Sequence, residues 1–249
     1  MNNVGSTESL SKASIEFLTG SPNDILDKNK SRNILLVGPA PLDKKLDLGK
    51  FDEAIVILRG EHSLEVLKTC LAKLPTHGLL RNMHLISVLS NLNSRSDWRQ
   101  ALLSCKSLYV RKKYKNWIPA GLSNISFPSE KLEKIWGKIG KPNGIQHAVG
   151  VAMELCGPTG TVTIVGTTFY LGERIYSHAH KTNNLEQQKN EFALCEGQSS
   201  HNPAPNFMLM KRLMNSGVIV GDSVVEEILR MDLHAYLEKL DNFRGAGRD

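Results

Sequence analysis

Three side chains in the second half of the chain, His201, Tyr170 and Tyr176, have the chemistry to accept or donate a proton. His201 is flanked by small and polar residues at the start of an apolar helix, so its imidazole would be partly exposed. It could titrate near neutral pH, as a general base requires. Each tyrosine hydroxyl could donate a hydrogen bond to a departing phosphate. Taken singly, a surface histidine and packing tyrosines are the more frequent outcomes, so the order of these residues carries the argument.

Two short loops could hold an anion beside them. Gly38, Pro39 and Ala40 follow an apolar strand, where many α/β proteins bind a nucleotide. They form neither GxGxxG nor GxxxxGKS/T, and Pro39 has no N–H, which disfavours kinases and ordinary dinucleotide oxidoreductases. A plain strand-ending turn explains this loop equally well. Asn143 and Gly144 begin a helix whose unpaired N–H groups could bind an anion or a sugar, although a helix cap is the more common explanation.

The remaining titratable residues do not predict a metal site. His178 and His180 are two residues apart, which suits a strand better than a helix-borne metal site, and no DxD motif occurs. The four cysteines are widely spaced, and three have apolar neighbours, so we expect buried, reduced thiols. The cysteines are Cys70, Cys105, Cys156 and Cys195. We therefore expect neither a metal ion nor another cofactor.

Composition sets broader limits on the class of protein. The chain has 249 residues, of which 41% are hydrophobic, and can bury a substantial core. Its formal net charge of +6 favours anionic partners. The basic residues are dispersed, so no nucleic-acid partner is expected, and the one dense run, 111–115, fits a solvated face better than a binding stripe. There is neither an apolar run of about 18 residues nor a leader pattern. We expect a cytoplasmic protein whose charge would allow peripheral membrane contact.

Apolar patterns indicate the elements that must position these residues. Continuous apolar runs predict buried strands, and longer periodic segments predict helices. Strands are predicted at 33–37, 54–58, 83–89, 108–110 and 161–165. Helices are predicted at 10–18, 64–74 with Ser63 as cap, 97–103, 130–139, 145–156, 207–214, 224–230 and 234–240, and a loop at 115–128.

The alternation of these elements predicts an α/β fold, with a mainly parallel twisted sheet flanked by helices in a Rossmann-like arrangement. Ligands of such sheets bind at the carboxyl ends of the strands, so the candidate residues would face one site there. Residues 1–30 are expected to be weakly ordered, residues 31–243 to form one domain, and residues 244–249 to form a tail.

In their order, these motifs resemble those of the bacterial sialyltransferases of glycosyltransferase family 42, and more distantly those of the animal sialyltransferases of family 29. A small-residue turn at 142–144 precedes a helix, and residues 166–170 are similar to the family's Gly-x-Asp-Phe-Tyr motif. Tyr176 stands where the family has a second tyrosine, and His201 begins a segment similar to its His-x4-Asp motif. Residues 33–41 and 51–59 are similar to its first two strands and the loops that follow them.

The resemblance implies a metal-independent inverting transferase with the sialyltransferase variant of the GT-A fold. It would transfer a CMP-activated sialic acid or related keto sugar to a surface glycan or glycolipid, as in lipopolysaccharide biosynthesis. His201 would be the general base, and Tyr170 and Tyr176 would bind the leaving phosphate. The implied donor-binding residues are Gly38, Pro39, Ala40, Arg59, Glu61, Asn143, Gly144, Gly166 and Thr168.

Two alternatives stay open at this point. Pro39 and Glu61 stand where the family has asparagines that would contact the donor, and Thr168 stands where it has an aspartate. A catalytically silent nucleotide- or glycan-binding protein on the same scaffold would accommodate these differences. An α/β enzyme that transfers a diphosphate to a pterin would need metal-binding carboxylates, which the sequence does not place. The sugar, the acceptor, the linkage and assembly into a homo-oligomer are left open.

Overall fold

A computed structural model places one parallel sheet at the centre of the protein, with helices on both faces. The structure describes residues 31–40, 42, 47–59, 61–80, 95–118, 120–132, 144–157, 159–169, 171 and 203–245. Within these residues the strands are β1 (Asn33–Val37), β2 (Glu53–Leu58), β3 (Thr76–Leu80), β4 (Ser107–Val110), β5 (Ile125–Ser126), β6 (Thr161–Val165) and β7 (Ile219–Gly221). The helices are α1 (Glu61–Leu71), α2 (Ser96–Leu103), α3 (Gly144–Cys156), α4 (Pro203–Asn215), α5 (Ser223–Arg230) and α6 (Leu233–Gly245).

The strand order is β5-β4-β3-β2-β1-β6-β7, and every neighbouring pair is parallel. The chain runs outward from β1 to β5 and then returns to β6 on the other side of β1. This is a Rossmann-like topology, with its switch point between β1 and β6. The predicted α/β fold with a parallel sheet and flanking helices is confirmed.

The strands are apolar because both faces of the sheet are covered. Side chains alternate between the faces, so Leu36 and Ile55 belong to one buried cluster while Leu35 and Val56 belong to the other. The first cluster includes residues of α3, α4, α5 and α6, and the second includes residues of α1 and α2. Because the helices change face at the switch point, both directions of chain travel keep the usual right-handed crossover.

Most predicted elements are confirmed, including β1, β2, β4 and β6 and the helices α2 to α6. The structure adds β3 and the short strands β5 and β7, which the sequence patterns did not predict. The predicted strand at 83–89 and helix at 10–18 lie outside the described residues, and the predicted helix at 130–139 is described only at 130–132, which are helical.

Several boundaries differ from prediction, and α4 begins at Pro203 rather than at residue 207. The Ser63 cap is wrong, because α1 already begins at Glu61 and ends at Leu71, and the Ser63 hydroxyl accepts a hydrogen bond from the Arg59 N–H at 2.9 Å. The segment predicted as loop at 115–128 contains β5 and part of a 3-10 helix. The last helix continues to Gly245, into the predicted tail. No helix in the described ranges has the length and hydropathy needed to cross a membrane.

Candidate functional site

The loops that leave β1 and β6 meet at the switch point and are hydrogen-bonded to each other. The Gly38 N–H donates to the Val165 carbonyl at 2.8 Å, and the Ala40 N–H donates to the Gly166 carbonyl at 2.9 Å. A Cβ atom on Gly38 would lie 2.2 Å from the Gly166 carbonyl oxygen, so only glycine permits this approach. Gly166 has φ +64°, a conformation that also favours glycine.

The loop after β6 is also joined to the start of α5. The Gly166 N–H donates to one carboxylate oxygen of Asp222 at 3.2 Å, and the other oxygen accepts from the Val225 N–H at 2.9 Å, which caps α5. The N–H groups of Gly38, Ala40 and Gly166 are therefore all used within the protein. Because Pro39 has no N–H, residues 38–40 offer no free backbone N–H group to an anion.

The start of α3 supplies N–H groups at the same edge. The Cys156 carbonyl at the end of α3 accepts from the Arg32 N–H, beside the amino end of β1. A helix of 13 residues is about 20 Å long, so Gly144 lies toward the carboxyl edge. The first turn also carries two buried polar side chains, Gln146 and His147, which the sequence analysis missed. Their signal in the sequence was two adjacent polar residues in the otherwise apolar first half of the helix.

A buried contact joins the loop after β6 to α4 and α6. Phe169 has a positive φ of 47°, and its carbonyl accepts a hydrogen bond from the Tyr236 hydroxyl at 2.9 Å. The Tyr236 ring stacks on Phe207 in the first half of α4, with 4.1 Å between centroids and 8° between planes. In sequence, Tyr170 directly follows Phe169, and His201 stands two residues before α4 begins. The fold thus holds together the segments that lead to these two residues.

The predicted site residues fall into two groups. His201, Tyr170, Tyr176 and Asn143 lie outside the described residues. The others belong to elements that begin or end at the carboxyl edge of the sheet: Gly38, Pro39 and Ala40 after β1, Arg59 after β2, Glu61 at the start of α1, Gly144 at the start of α3, and Gly166 and Thr168 after β6. The structure therefore assembles the described members at one edge, spread from β2 to β6.

A second polar cluster lies at the opposite, amino edge of the sheet. The buried Glu53 carboxylate on β2 accepts hydrogen bonds from Arg32, from His77 Nε2 at 2.6 Å and from Lys106 Nζ at 2.6 Å. Burial alone would raise the pKa of Glu53, but the hydrogen bonds and positive charges of His77 and Lys106 outweigh it and lower this pKa to about 2. The cluster joins the amino ends of four neighbouring strands.

Two aromatic groups complete this second cluster. The rings of His77 and Tyr109 are 5.7 Å apart, and His77 Nδ1 is buried with no hydrogen-bond partner among the described residues. Burial, together with the negative charges of Glu154 and Glu53, raises the pKa of Tyr109 to about 12. The sequence analysis missed this cluster because its members are far apart in the chain. Its position away from the carboxyl ends of the strands indicates a role in the structure of the sheet.

The part of the chain that the structure describes contains no group of three or more His, Cys, Asp or Glu side chains arranged to hold a metal ion. The chain matches no protein-family model, no curated protein and no solved structure. The fold and the site thus define the class, an α/β protein with a Rossmann-like parallel sheet and a polar edge at the strand ends.

Proposed function

We propose that the protein is a metal-independent, inverting glycosyltransferase that uses a CMP-activated sugar, either sialic acid or a related keto sugar. Its acceptor would be a surface glycan or glycolipid, and its scaffold the sialyltransferase variant of the GT-A fold. The observation that carries the proposal is the connection from Phe169 through Tyr236 to Phe207. It joins Phe169, which precedes Tyr170 in the sequence, to α4, which follows His201 in the sequence.

In the proposed reaction, His201 accepts the proton of the acceptor hydroxyl as its oxygen attacks the anomeric carbon. The bond from that carbon to the phosphate oxygen breaks from the opposite side, which inverts the configuration and releases CMP. Tyr170 and Tyr176 donate hydrogen bonds to the phosphate as its negative charge increases. These phenols would replace the metal ion that other transferases use to stabilise the leaving group.

The donor would lie at the start of α3 rather than in the turn after β1. The N–H groups of Gly38 and Ala40 are already bonded to β6 and its loop, whereas a helix start directs N–H groups and a positive dipole end toward an anion. Gly144 lets a phosphate or a sugar carboxylate approach the backbone closely. Arg59 adds positive charge to the same edge, and Thr168 adds a hydroxyl.

Calorimetry with CMP, followed by a hydrolysis screen of several CMP-sugars with and without EDTA, tests this proposal. We expect CMP to bind at or below millimolar concentration and one CMP-sugar to be hydrolysed at the same rate in EDTA. A Gly144→Glu variant, which places a negative charge at the helix start, should lose CMP binding. The matched control is Gly49→Glu, because Gly49 is exposed in a 3-10 helix before β2. Loss of hydrolysis in EDTA would contradict the proposed mechanism.

A second candidate is a catalytically silent protein that binds a nucleotide or glycan on the same scaffold. It is favoured by the turn after β1, where Pro39 has no N–H and the N–H groups of Gly38 and Ala40 are bonded to β6 and to the loop that follows it. CMP binding without turnover of any CMP-sugar would support this candidate over the transferase. If CMP does not bind at millimolar concentration, the transferase proposal fails.

A further inference from the structure

An exposed basic segment with one half-exposed tryptophan follows β4 at the carboxyl edge of the sheet. It consists of Arg111 and the 3-10 helix Lys112–Trp117, and we call residues 111–117 the basic-aromatic segment. None of the side chains of its 3-10 helix is buried, and Trp117 is 52% exposed. The other described tryptophan, Trp98, is fully buried, so among the described tryptophans only Trp117 presents its ring to solvent. This exposure requires an explanation other than core packing.

The segment is strongly positive. Four of its seven residues are Arg or Lys, and none is acidic. Lys112 forms an ion pair with Glu130 at 3.3 Å, but both side chains are well exposed, so the pair neutralises little of the local charge. The segment therefore presents positive charge to the solvent beside an aromatic ring.

The 3-10 geometry separates the aromatic and the basic side chains. Residues three apart lie on the same side of such a helix, so Tyr114 and Trp117 share one side while Lys112 and Lys115 share another. Tyr114 packs against the buried cluster that contains α1 and α2, and Trp117 continues this apolar side outward to the solvent. Lys113 Nζ lies 4.7 Å from the centre of the Tyr114 ring. The segment therefore exposes the apolar Trp117 ring next to positively charged lysine side chains.

We propose that the basic-aromatic segment docks the protein on an anionic lipid surface. A tryptophan ring is favoured at the boundary between headgroups and acyl chains, and neighbouring lysines are attracted to anionic headgroups. Single-stranded nucleic acid fits less well, because such sites stack successive bases on several rings. In this segment only Trp117 offers an exposed ring, since Tyr114 is half-buried against the core and faces Lys113. This inference does not depend on the proposed transferase activity.

Sedimentation with lipid vesicles tests the charge component. Vesicles of phosphatidylcholine alone are compared with vesicles that also contain phosphatidylglycerol, with wild type and a triple Lys→Gln variant of Lys112, Lys113 and Lys115. Each lysine near an anionic surface raises the affinity about fivefold, so the triple variant should bind the anionic vesicles about a hundredfold more weakly. The matched control carries the same Lys→Gln change at Lys50, Lys68 and Lys73. It loses the same charge at the opposite, amino end of the sheet and should bind like wild type.

Tryptophan fluorescence tests the apolar component. Anionic vesicles should shift the emission of wild type to shorter wavelength, and Trp117→Phe should abolish this shift. The proposal is overturned if wild type does not bind anionic vesicles, if both triple variants weaken equally, or if the chain binds an oligonucleotide but not lipid. Hydrolysis of a soluble CMP-sugar should be unchanged in the triple variant, so failure here is distinct from failure of the proposed function.

Discussion

The Tyr236 hydroxyl donates a buried hydrogen bond to the Phe169 carbonyl at 2.9 Å, across 67 residues of sequence. Because Phe169 lies in the loop after β6 and Tyr236 stacks on Phe207 of α4, this bond fixes one wall of the candidate site. The three residues are far apart in the chain and meet only at the carboxyl edge of the sheet.

Tyr236→Phe should therefore destabilise the protein although it keeps the stacked ring. The substitution leaves the buried Phe169 carbonyl without its donor, a loss of about 1–3 kcal/mol in the free energy of unfolding. Urea denaturation measures this change, with Tyr114→Phe as the control, because Tyr114 is half-buried. Equal midpoints for wild type and Tyr236→Phe would show that the bond does not stabilise this wall.

Gly38→Ala should be strongly destabilising at the switch point. The added Cβ would lie 2.2 Å from the Gly166 carbonyl, and the obstacle is backbone that cannot rotate away. We expect a loss of about 3 kcal/mol, in the range of overpacked cores. Gly49→Ala is the control, since its Cβ would meet only the Asp47 side chain at an ordinary 3.6 Å. If the two variants denature at the same urea concentration, the two loops do not pack as closely as described.

The Glu53 cluster makes stability depend on pH in a defined direction. The pKa of Glu53 is lowered from 4.5 to about 2 in the folded protein, so the folded state favours the ionised carboxylate. The stabilisation is complete above pH 4.5 and is lost as pH falls toward 2; it is worth about 3 kcal/mol at neutral pH.

Glu53→Gln should therefore lower the free energy of unfolding at pH 7, and its difference from wild type should shrink between about pH 5 and pH 2. Chemical denaturation across this range measures the difference, and Glu227→Gln provides an exposed control. A difference that does not change with pH would show that the carboxylate charge is not the stabilising feature.

The buried thiols should be unreactive in the native protein. Burial raises the pKa of Cys70 to about 11, of Cys105 to about 12 and of Cys156 to about 11, so almost no thiolate is present at neutral pH. A coloured thiol reagent at pH 7 should label at most one cysteine in the native protein, Cys195, and all four in urea. Rapid labelling of two or more native thiols would contradict this packing.

The strands that could be predicted are those whose apolar runs are continuous. β1 is such a run and β6 is a β-branched one, and both lie inside the sheet with helices over its faces, so local pattern and final position agree. β3 was missed because His77 and Gly78 interrupt its apolar pattern. His77 is accommodated by Glu53 from β2, and a Cβ on Gly78 would lie 2.8 Å from the side chains of Leu58 and Leu108. His77 and Gly78 thus fit in β3 because of residues on the neighbouring strands, which the local sequence pattern does not contain.

The candidate site, like the strands, could be predicted from the sequence only in part. The order of strands and loops predicts which residues reach the carboxyl edge, since parallel strands all end there. It does not predict that the N–H groups of Gly38 and Ala40 are used, because this depends on the register between β1 and β6. Nor does it predict the burial of Gln146 and His147, because burial depends on what packs against the start of α3 in the folded protein.

The release of CMP from the preferred CMP-sugar in the presence of acceptor and EDTA, compared between wild type and His201→Ala, tests the central claim most directly. We expect the variant to transfer at least about a hundredfold more slowly, because it lacks the general base, while calorimetry shows unchanged CMP binding. Tyr170→Phe should also slow transfer with little effect on acceptor binding. Transfer by His201→Ala at the wild-type rate would contradict the assignment of the base, and no CMP release by wild type would contradict the transferase itself.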